Sequence, residues 1–469
     1  MRKQLRVVSF AGTFFILLST MVACSTVREY KQPEIVFPEN YRGGSTSSKG
    51  VQADTSVALL PYRSFFADQA LCALIDSAMV NNIDLQVALK NIDYAAQTLK
   101  SAKLETLPTL SIGVQNTRTN PSDYGVRTNL NDYTLSGTSS WEVDIWGKLR
   151  SRSKSALASY LKTQEAAKTV RTRLVADVAE GYYNMLMLDA QLNISKKNLV
   201  LADTTFKMIG LQYTAGQVTS LAVQQQEASK QAIAASLPLI EQKIAAQENA
   251  LSILCGKMPG SVSRNQTLFN IIVSDVLPSG APFALLQNRP DVRAAELAVR
   301  AAHADMGEAK ANLYPLLSIT ATGGVDAFKT SNWFTTPGSL FGVLQGSLVQ
   351  PVFQHGQLKA RYVQSKIKRE QTELEFKYSL LKAVGEVSNA LVQLDKIKSQ
   401  ELIASERLIT LQKGVSNAGM LFQSGMATYL EVMIAETNAL QAELDLASIR
   451  RQHLVAMAEL YRALGGGWR

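Results

Sequence analysis

The sequence predicts a mainly α-helical chain that carries four transmembrane β-strands and is built from two internal repeats. Three observations point to this fold. Short motifs recur 207 to 209 residues apart along most of the chain. Two long tracts, 123–237 and 352–469, contain no proline and have apolar residues at helical spacing. Four other segments of about ten residues alternate apolar with small polar side chains, which is strand spacing.

Composition excludes several classes of protein. Of the 469 residues, 19% are charged and 46% are apolar, which is the composition of a folded chain. The net charge of +9 is spread along the sequence, so we expect no nucleic-acid partner. His303, His355 and His453 stand too far apart for helical metal-ligand spacing, and no Cys-x-x-Cys accompanies them. We therefore expect no metal site and no other cofactor.

Residues 1–23 have the pattern of a signal peptide, because a basic start precedes an apolar run at 10–18. The following Met21-Val22-Ala23-Cys24 resembles the lipobox of bacterial lipoproteins, in which the cysteine is acylated and becomes the mature N-terminus. Ser25 resembles the residue found there in lipoproteins sent to the outer membrane. We predict lipid anchoring through Cys24. The alternative is an ordinary leader with a coincidental cysteine.

Residues 24–66 are predicted to form a lipid-anchored tether. They contain three prolines and a Gly/Ser-rich stretch at 42–50, without the periodicity of a packed element. Fully extended, some 40 residues would reach about 130 Å.

The rest of the chain divides into a first repeat at 67–260, a connector at 261–289 and a second repeat at 290–469. The clearest pair of copies is Tyr213-Thr214-Ala215-Gly216 and Phe422-Gln423-Ser424-Gly425, which lie 209 residues apart. In each repeat we expect a short helix, a strand pair, a long helix and a return helix. Two similar halves imply a pseudo-twofold arrangement.

Each long helix and its return helix are expected to form a coiled-coil hairpin. Apolar residues between 175 and 199 follow alternating three- and four-residue steps, which predicts a left-handed supercoil. Glycine-containing breaks at 213–219 and 422–428 suit helix-to-helix turns. Pro238 is expected to kink the first return helix.

Strand pairs are predicted near 108–144 and near 315–352. In the first pair, Leu110, Ile112 and Val114 alternate with small or polar residues, which is typical of a tilted transmembrane strand. A soluble hairpin on each repeat is the alternative. Because four strands cannot close a barrel, a barrel in lipid would have to be shared by two or three chains.

Three longer motifs are specific. They are Trp141-Glu142-Val143-Asp144-Ile145-Trp146-Gly147-Lys148-Leu149-Arg150, Arg289-Pro290-Asp291-Val292-Arg293-Ala294-Ala295-Glu296 and Ala463-Leu464-Gly465-Gly466-Gly467-Trp468. With them the chain resembles the outer-membrane efflux duct lipoproteins of the TolC/OprM/NodT type, the outer membrane factors of tripartite efflux systems. The resemblance implies a homotrimer with a twelve-stranded barrel in the outer membrane and a long helical tunnel in the periplasm. It also implies two protein partners: a periplasmic adaptor and an inner-membrane transporter, commonly of the resistance-nodulation-division (RND) type.

A duct of this family exports small molecules passively, with energy supplied by the pump, so we expect no enzyme activity. The sequence contains no GxxxxGK[ST], GxSxG or HExxH motif. The rival prediction is a non-pore periplasmic coiled-coil scaffold lipoprotein, which needs no trimer. The cargo is left open, because such tunnels take specificity largely from the pump.

The resemblance implies a gate at the periplasmic tips, where the two helix breaks lie. Glu431 matches a position at which relatives close the tip with an acidic residue, and Leu430 with Glu431 is the predicted constriction. Ala427 and Ile434 stand where relatives can carry aspartate, which argues against an aspartate ring. The alternative for Glu431 is a solvated helix carboxylate.

The turns also supply the candidate adaptor contacts, which are Gly216, Gln217, Gly425 and Met426. Farther from the tips, Cys72 and Cys255 are expected to be free thiols near the ends of two short helices. A disulfide between them is the alternative in an oxidising compartment.

Overall fold

The computed structural model describes residues 29–32, 41–42, 60–119, 130–272 and 288–468. The predicted signal peptide, Cys24, most of the tether and part of the connector lie outside these residues. The chain forms two compact units. The sheet unit comprises the described residues within Met1–Glu34, Asn91–Gln164 and Ala294–Lys377, and the helical unit comprises those within Ile35–Lys90, Glu165–Arg293 and Tyr378–Arg469.

From α3 onward, the described α-helices follow the same order in both repeats. In the described residues they are α1 (Tyr62–Phe65), α2 (Gln69–Asn81), α3 (Ile83–Leu104), α4 (Lys148–Thr214), α5 (Ser220–Leu254), α6 (Pro290–Ala311), α7 (Gln357–Gln423) and α8 (Tyr429–Ala463). The long helices α4 and α7 each have 67 residues, and the return helices α5 and α8 each have 35. Helices α3 and α6 each have 22 residues. The predicted two-repeat organisation is confirmed, while the boundaries at 260 and 290 stay predictions.

The helix boundaries have local causes. The Asp68 carboxylate caps α2 by accepting the Ala70 N–H at 2.8 Å, and the Asn82 side chain accepts the Leu85 N–H at 2.9 Å at the start of α3. Pro290 is the first residue of α6, where its missing N–H costs nothing. Helix α5 continues through Pro238, the predicted kink position.

Four strands form one antiparallel sheet in the order β1-β2-β3-β4. They are β1 (Thr109–Thr119), β2 (Leu130–Val143), β3 (Leu316–Ala327) and β4 (Leu340–Val349). The two hairpins are not separate, because β2 pairs with β3 along most of its length, with Trp141 opposite Ile319. Strands β1 and β4 form the two edges of the sheet. The four predicted strands are confirmed.

The two faces of the sheet differ as the alternation predicts. On β1, Leu110, Ile112 and Val114 are 78%, 79% and 69% exposed. Hydroxyl groups meet across the β2–β3 pair, where Thr138 Oγ1 lies 3.2 Å from Thr322 Oγ1 and Ser140 Oγ lies 3.4 Å from Thr320 Oγ1. The sheet therefore presents an exposed apolar surface together with rows of small hydroxyl residues.

The main core of the helical unit lies where α2, α4, α5 and α8 meet. The predicted seam residues Val175, Val178, Tyr182 and Met185 are all buried in it. The Tyr182 hydroxyl donates to the Asp68 carboxylate at 2.6 Å, so the same aspartate caps α2 and satisfies a buried tyrosine. None of the described helices has a window apolar enough to cross a membrane.

Both cysteines that the structure describes are free. The Cys72 thiol lies 3.4 Å from the Phe66 carbonyl oxygen, and the Cys255 thiol lies 3.5 Å from that of Leu74. Burial raises the pKa of both thiols, which makes the reactive thiolate scarce at neutral pH.

Candidate gate at the paired helix turns

The turn between α4 and α5 has the hydrogen bonds of a Schellman motif. The Gln217 N–H donates to the Gln212 carbonyl at 2.9 Å, and the Gly216 N–H donates to the Tyr213 carbonyl at 2.9 Å. Gly216 has a φ of +73°, a left-handed conformation that favours glycine. The long helix therefore stops at this glycine.

The turn between α7 and α8 repeats this geometry. The Met426 N–H donates to the Leu421 carbonyl at 2.8 Å, and the Gly425 N–H donates to the Phe422 carbonyl at 3.1 Å. Gly425 has a φ of +75°. The two turns are therefore copies of one backbone motif, as the sequence predicts.

An apolar cluster ties the two turns together within the helical unit. It contains one buried residue from each of four helices: Ile209 from α4, Ala222 from α5, Phe422 from α7 and Val432 from α8. We call these four residues the tip cluster. The Tyr429 hydroxyl at the start of α8 also donates to the Gln225 side chain of α5 at 2.7 Å. Both helix hairpins therefore share one small core at their turns.

Glu431 has a local structural role at the start of α8. One of its carboxylate oxygens, Oε2, accepts the Thr428 N–H at 2.6 Å and the Thr428 hydroxyl at 2.9 Å. Thr428 is the N-cap, so this is the glutamate half of a capping box. The hydrogen bond from the Thr428 backbone, and then that from its hydroxyl, lower the pKa of Glu431. The carboxylate is held in its charged form while it remains exposed.

Polar links join α8 to α4 behind the tip cluster. The Thr205 hydroxyl donates to Glu436 Oε1 at 2.7 Å, and the Asn198 amide donates to Glu443 Oε2 at 3.1 Å. Burial raises the pKa of Glu436, although the Thr205 hydrogen bond opposes this shift. Sequence reasoning missed these links, because nothing in either helix alone indicates its partner.

A charged link joins α4 to α5. The Asp203 carboxylate lies 2.7 Å from Lys207 Nζ on its own helix and 2.5 Å from Lys230 Nζ on α5. The hydrogen bond from Lys207, followed by that from Lys230, lowers the pKa of Asp203 to about 2. The pair joins the two helices of the first hairpin in all but strongly acidic conditions.

The first long motif places its aspartate at the start of α4 in the sheet unit. The two Asp144 oxygens accept the N–H groups of Leu149 at 3.1 Å and Arg150 at 2.9 Å. The Trp146 indole donates to the Pro315 carbonyl at 2.8 Å, and its ring stacks on Tyr314 with centroids 4.9 Å apart. The motif therefore fixes the passage from β2 into α4.

The other two motifs meet in the helical unit around Arg289, whose side chain is only 5% exposed. Its guanidinium binds Asp291 at 2.6 Å, Glu386 at 2.9 Å and the Ala463 carbonyl at 3.0 Å. The Trp468 indole donates to the Asn288 carbonyl at 3.2 Å. These acceptors offset the cost of burying the Arg289 charge. The same contacts fix the start of α6 to the end of α8.

The family model described as "Outer membrane efflux protein" matches residues 74–257 and 282–466, one range for each repeat. The chain belongs to this family. The resemblance drawn from the three motifs is thereby confirmed. The family consists of transport channels rather than enzymes.

Similar proteins span nearly the whole chain. The solvent efflux pump outer membrane protein SrpC of Pseudomonas putida is 29% identical over 451 residues, covering 95% of this chain and 96% of the relative. The cation efflux system protein CusC of Escherichia coli is 27% identical, covering 97% of this chain and 98% of the relative. The predicted efflux role agrees with both.

Solved structures show the same fold. A crystal structure of CusC has a TM-score of 0.85 at 26% identity, covering 95% of this chain and all of that one. The open state of the Neisseria gonorrhoeae MtrE outer membrane channel has a TM-score of 0.86 at 24% identity, covering 95% and 99% of the two chains. The predicted mixture of long helices and four strands per chain is confirmed.

The structure brings the predicted site residues to the two turns. Gly216, Gln217, Gly425 and Met426 are all exposed there. Leu430 is 45% exposed, and Glu431 follows it on the first turn of α8. Their roles in gating and adaptor contact stay predictions. The capping role of Glu431 was missed, although Thr428 followed three residues later by glutamate is a readable capping-box signal.

Proposed function

We propose that this chain is the passive outer-membrane exit duct of a tripartite efflux pump. It carries small molecules across the periplasm and the outer membrane, and an inner-membrane transporter supplies the energy. The observation that carries the proposal is the four-stranded sheet with an exposed apolar surface and two open edges, in a chain of the outer membrane efflux family. Unpaired strand edges are not stable in lipid, because no water satisfies their backbone groups.

The open edges are satisfied when copies of the chain close a shared barrel. Two copies give eight strands and three give twelve, and a barrel of eight fills with its own side chains. A duct needs a lumen, and the hydroxyl rows on β2 and β3 suit a water-filled one. The proposed assembly is therefore a homotrimer, anchored in the outer-membrane lipid through acylated Cys24.

The two turns are the proposed working end of the duct. Leu430 and Glu431 form the constriction, and Gly216, Gln217, Gly425 and Met426 contact a periplasmic adaptor. An exposed methionine such as Met426, 74% exposed, suits an adaptable apolar contact. The inner-membrane partner is an RND-type transporter. Relatives are named for the efflux of solvents, cations and antibiotics, so the family fold does not by itself select one cargo.

The test is the mass of the mature protein extracted in mild detergent, corrected for bound detergent, followed by recording in planar bilayers. We expect three chains per particle and stepwise conductance. Single chains without conductance would overturn the proposal and favour a non-pore scaffold, because four strands alone cannot close.

A further inference from the structure

A groove of about 550 Å³ lies between α4 and α6 in the sheet unit. Its lining is mainly apolar and comes from both helices: Leu157, Ala158, Leu161, Leu297, Ala304 and Gly307. Glu29 and Tyr30, from the N-terminal segment, close one side of it. The N-terminal segment therefore touches the folded protein long before the predicted tether ends at residue 66.

Two side chains of α6 hold the Tyr30 ring. The His303 imidazole meets it edge-on, with ring centroids 5.9 Å apart, and the Arg300 guanidinium lies 5.3 Å from the ring centroid. Edge-on ring contacts and a cation near an aromatic face are both attractive arrangements. Arg300 is also fixed by Glu296, whose Oε1 lies 2.7 Å from its Nη2. The guanidinium that lies beside the Tyr30 ring is therefore also bound to a carboxylate of its own helix.

We infer that Tyr30 is the docking residue of the N-terminal segment and holds Cys24 close to α4 and α6. The inference rests on the proposed acylation of Cys24. Six residue steps separate Cys24 from Tyr30, which limits their separation to about 20 Å. Without this dock, the next buried residue that the structure describes in the segment is Tyr41, 6% exposed, and the 17 residue steps from Cys24 would let the lipid reach about 56 Å.

The distance of about 20 Å that the chain allows between Tyr30 and Cys24 matches the distance of the groove from the sheet. Strand β2 ends at Val143, and α4 begins at Lys148 in the same unit. Leu157 lies nine residues farther along α4, which is about 14 Å along the helix axis. The docked segment is long enough to bring the acyl chains of Cys24 to the base of the sheet. Tyr30 therefore directs the lipid anchor into the membrane that holds the strands.

The experiment is limited trypsin digestion of the full mature protein in detergent. Lys31 directly follows Tyr30, and the exposed Arg42 provides a reference cut in the same molecule. We expect Tyr30→Ala to raise cleavage after Lys31 about tenfold relative to cleavage at Arg42, because proteolysis follows the population of the released segment. Tyr30→Phe keeps the ring and should match the wild type, while Arg300→Ala should give an intermediate rate.

A matched control is Tyr94→Ala, which removes a tyrosine that is 78% exposed on α3 and should change neither rate. Equal cleavage after Lys31 in wild type and Tyr30→Ala would overturn the docking inference. Mass spectrometry of the released peptide that begins at Cys24, and ends at Arg28 or at Lys31, separately reports whether Cys24 is acylated. An acylated peptide supports the role of Tyr30 in positioning a lipid anchor. An unmodified Cys24 overturns both that role and the proposed lipid anchor. In either case the cleavage ratio alone decides whether Tyr30 docks the segment.

Discussion

The two helix turns have the same backbone but are stabilised by different side chains. Gly216 and Gly425, 425 − 216 = 209 residues apart, end the two long helices with φ of +73° and +75°. Three residues into the return helix, the first turn has Ala222, which is buried in the tip cluster. The second turn has Glu431, which faces solvent and caps its own helix. Duplication kept the turn, while each copy acquired its own side-chain contacts.

The links behind the turns differ in the same way. In the first hairpin, Asp203 joins α4 to α5 through Lys230. The matching positions in the second hairpin, 209 residues on, are Gln412 and Ala439, which cannot form an ion pair. Helix α8 is instead bound to α4 through Glu436 and Thr205. At these positions the first hairpin thus has an internal ion pair, whereas in the second Gln412 of α7 donates a hydrogen bond to Glu443 of α8 at 3.1 Å.

The largest expected effect is on the tip cluster. Phe422 is 5% exposed, whereas Tyr213, at the matching position of the first turn, is 48% exposed. Phe422→Ala should lower the free energy of local opening at the turns by about 3–5 kcal/mol, because it leaves a cavity in a small core. Tyr213→Ala should cost about 1 kcal/mol or less. Hydrogen exchange of peptides covering the two turns measures both. An equal loss of opening free energy in the two variants would contradict the finding that only Phe422 is buried in the tip cluster. It would mean that the Tyr213 ring makes a stabilising contact elsewhere.

The next effect concerns the Asp203–Lys230 ion pair, which has no counterpart at the matching positions of the second hairpin. The pKa of Asp203 lies at about 2, below its ordinary value of 3.8. The link is therefore fully present above about pH 4 and is lost as the pH falls toward 2. Asp203→Asn should lower the thermal midpoint, measured by circular dichroism, at pH 6 and by much less at pH 2. Gln412→Asn, the matching change in the second hairpin, affects only an exposed hydrogen bond to Glu443 and should lower the midpoint at pH 6 by less than Asp203→Asn does. If Asp203→Asn lowers the thermal midpoint equally at pH 6 and pH 2, the Asp203–Lys230 ion pair is not the source of the lost stability.

A smaller change in stability, but a clear one in function, is expected at two matching leucines. Leu430 and Leu221 hold the same place in the two return helices and are 45% and 55% exposed. If the second turn forms the constriction, Leu430→Ser should raise single-channel conductance in planar bilayers more than Leu221→Ser does. Equal conductance in the two variants would remove Leu430 from the proposed gate. Hydrogen exchange at the turns should change little in either variant, because neither side chain is buried.

Helix lengths, turns and strands could be predicted because each depends on spacing within a short stretch of sequence. The proline-free tracts predict two long helices, and both end at the expected glycines, since only local backbone conformation is involved. The hydroxyl face of β2 could likewise be predicted from its alternation. The single four-stranded sheet could not, because pairing of β2 with β3 joins residues such as Trp141 and Ile319 from different repeats.

The chemistry of the turns was less accessible to sequence reasoning. Thr205 and Glu436 lie 436 − 205 = 231 residues apart, and only the packing of α4 against α8 brings them together. Arg289 shows the same limit: its motif identifies the family, but its contact with Glu386 requires the folded core. Glu431 is different, because its capping partner is three residues away and a local pattern indicates it.

The smallest effect separates the two roles of Glu431. Glutamine can still accept the Thr428 N–H, so Glu431→Gln keeps the capping contact and removes only the charge. Glu431→Ala removes both, and it makes the start of α8 resemble that of α5, where Ala222 stands at the same position. If the residue only caps, Glu431→Gln should match the wild type in bilayer conductance and in hydrogen exchange at the start of α8, and Glu431→Ala should speed exchange there. If its charge closes the duct, both variants should change conductance equally while only Glu431→Ala speeds exchange. Unchanged conductance in both variants would mean that Glu431 only caps α8 and that Leu430 alone forms the constriction. The second turn would then differ from the first in how its return helix starts, and not in the charge that it presents.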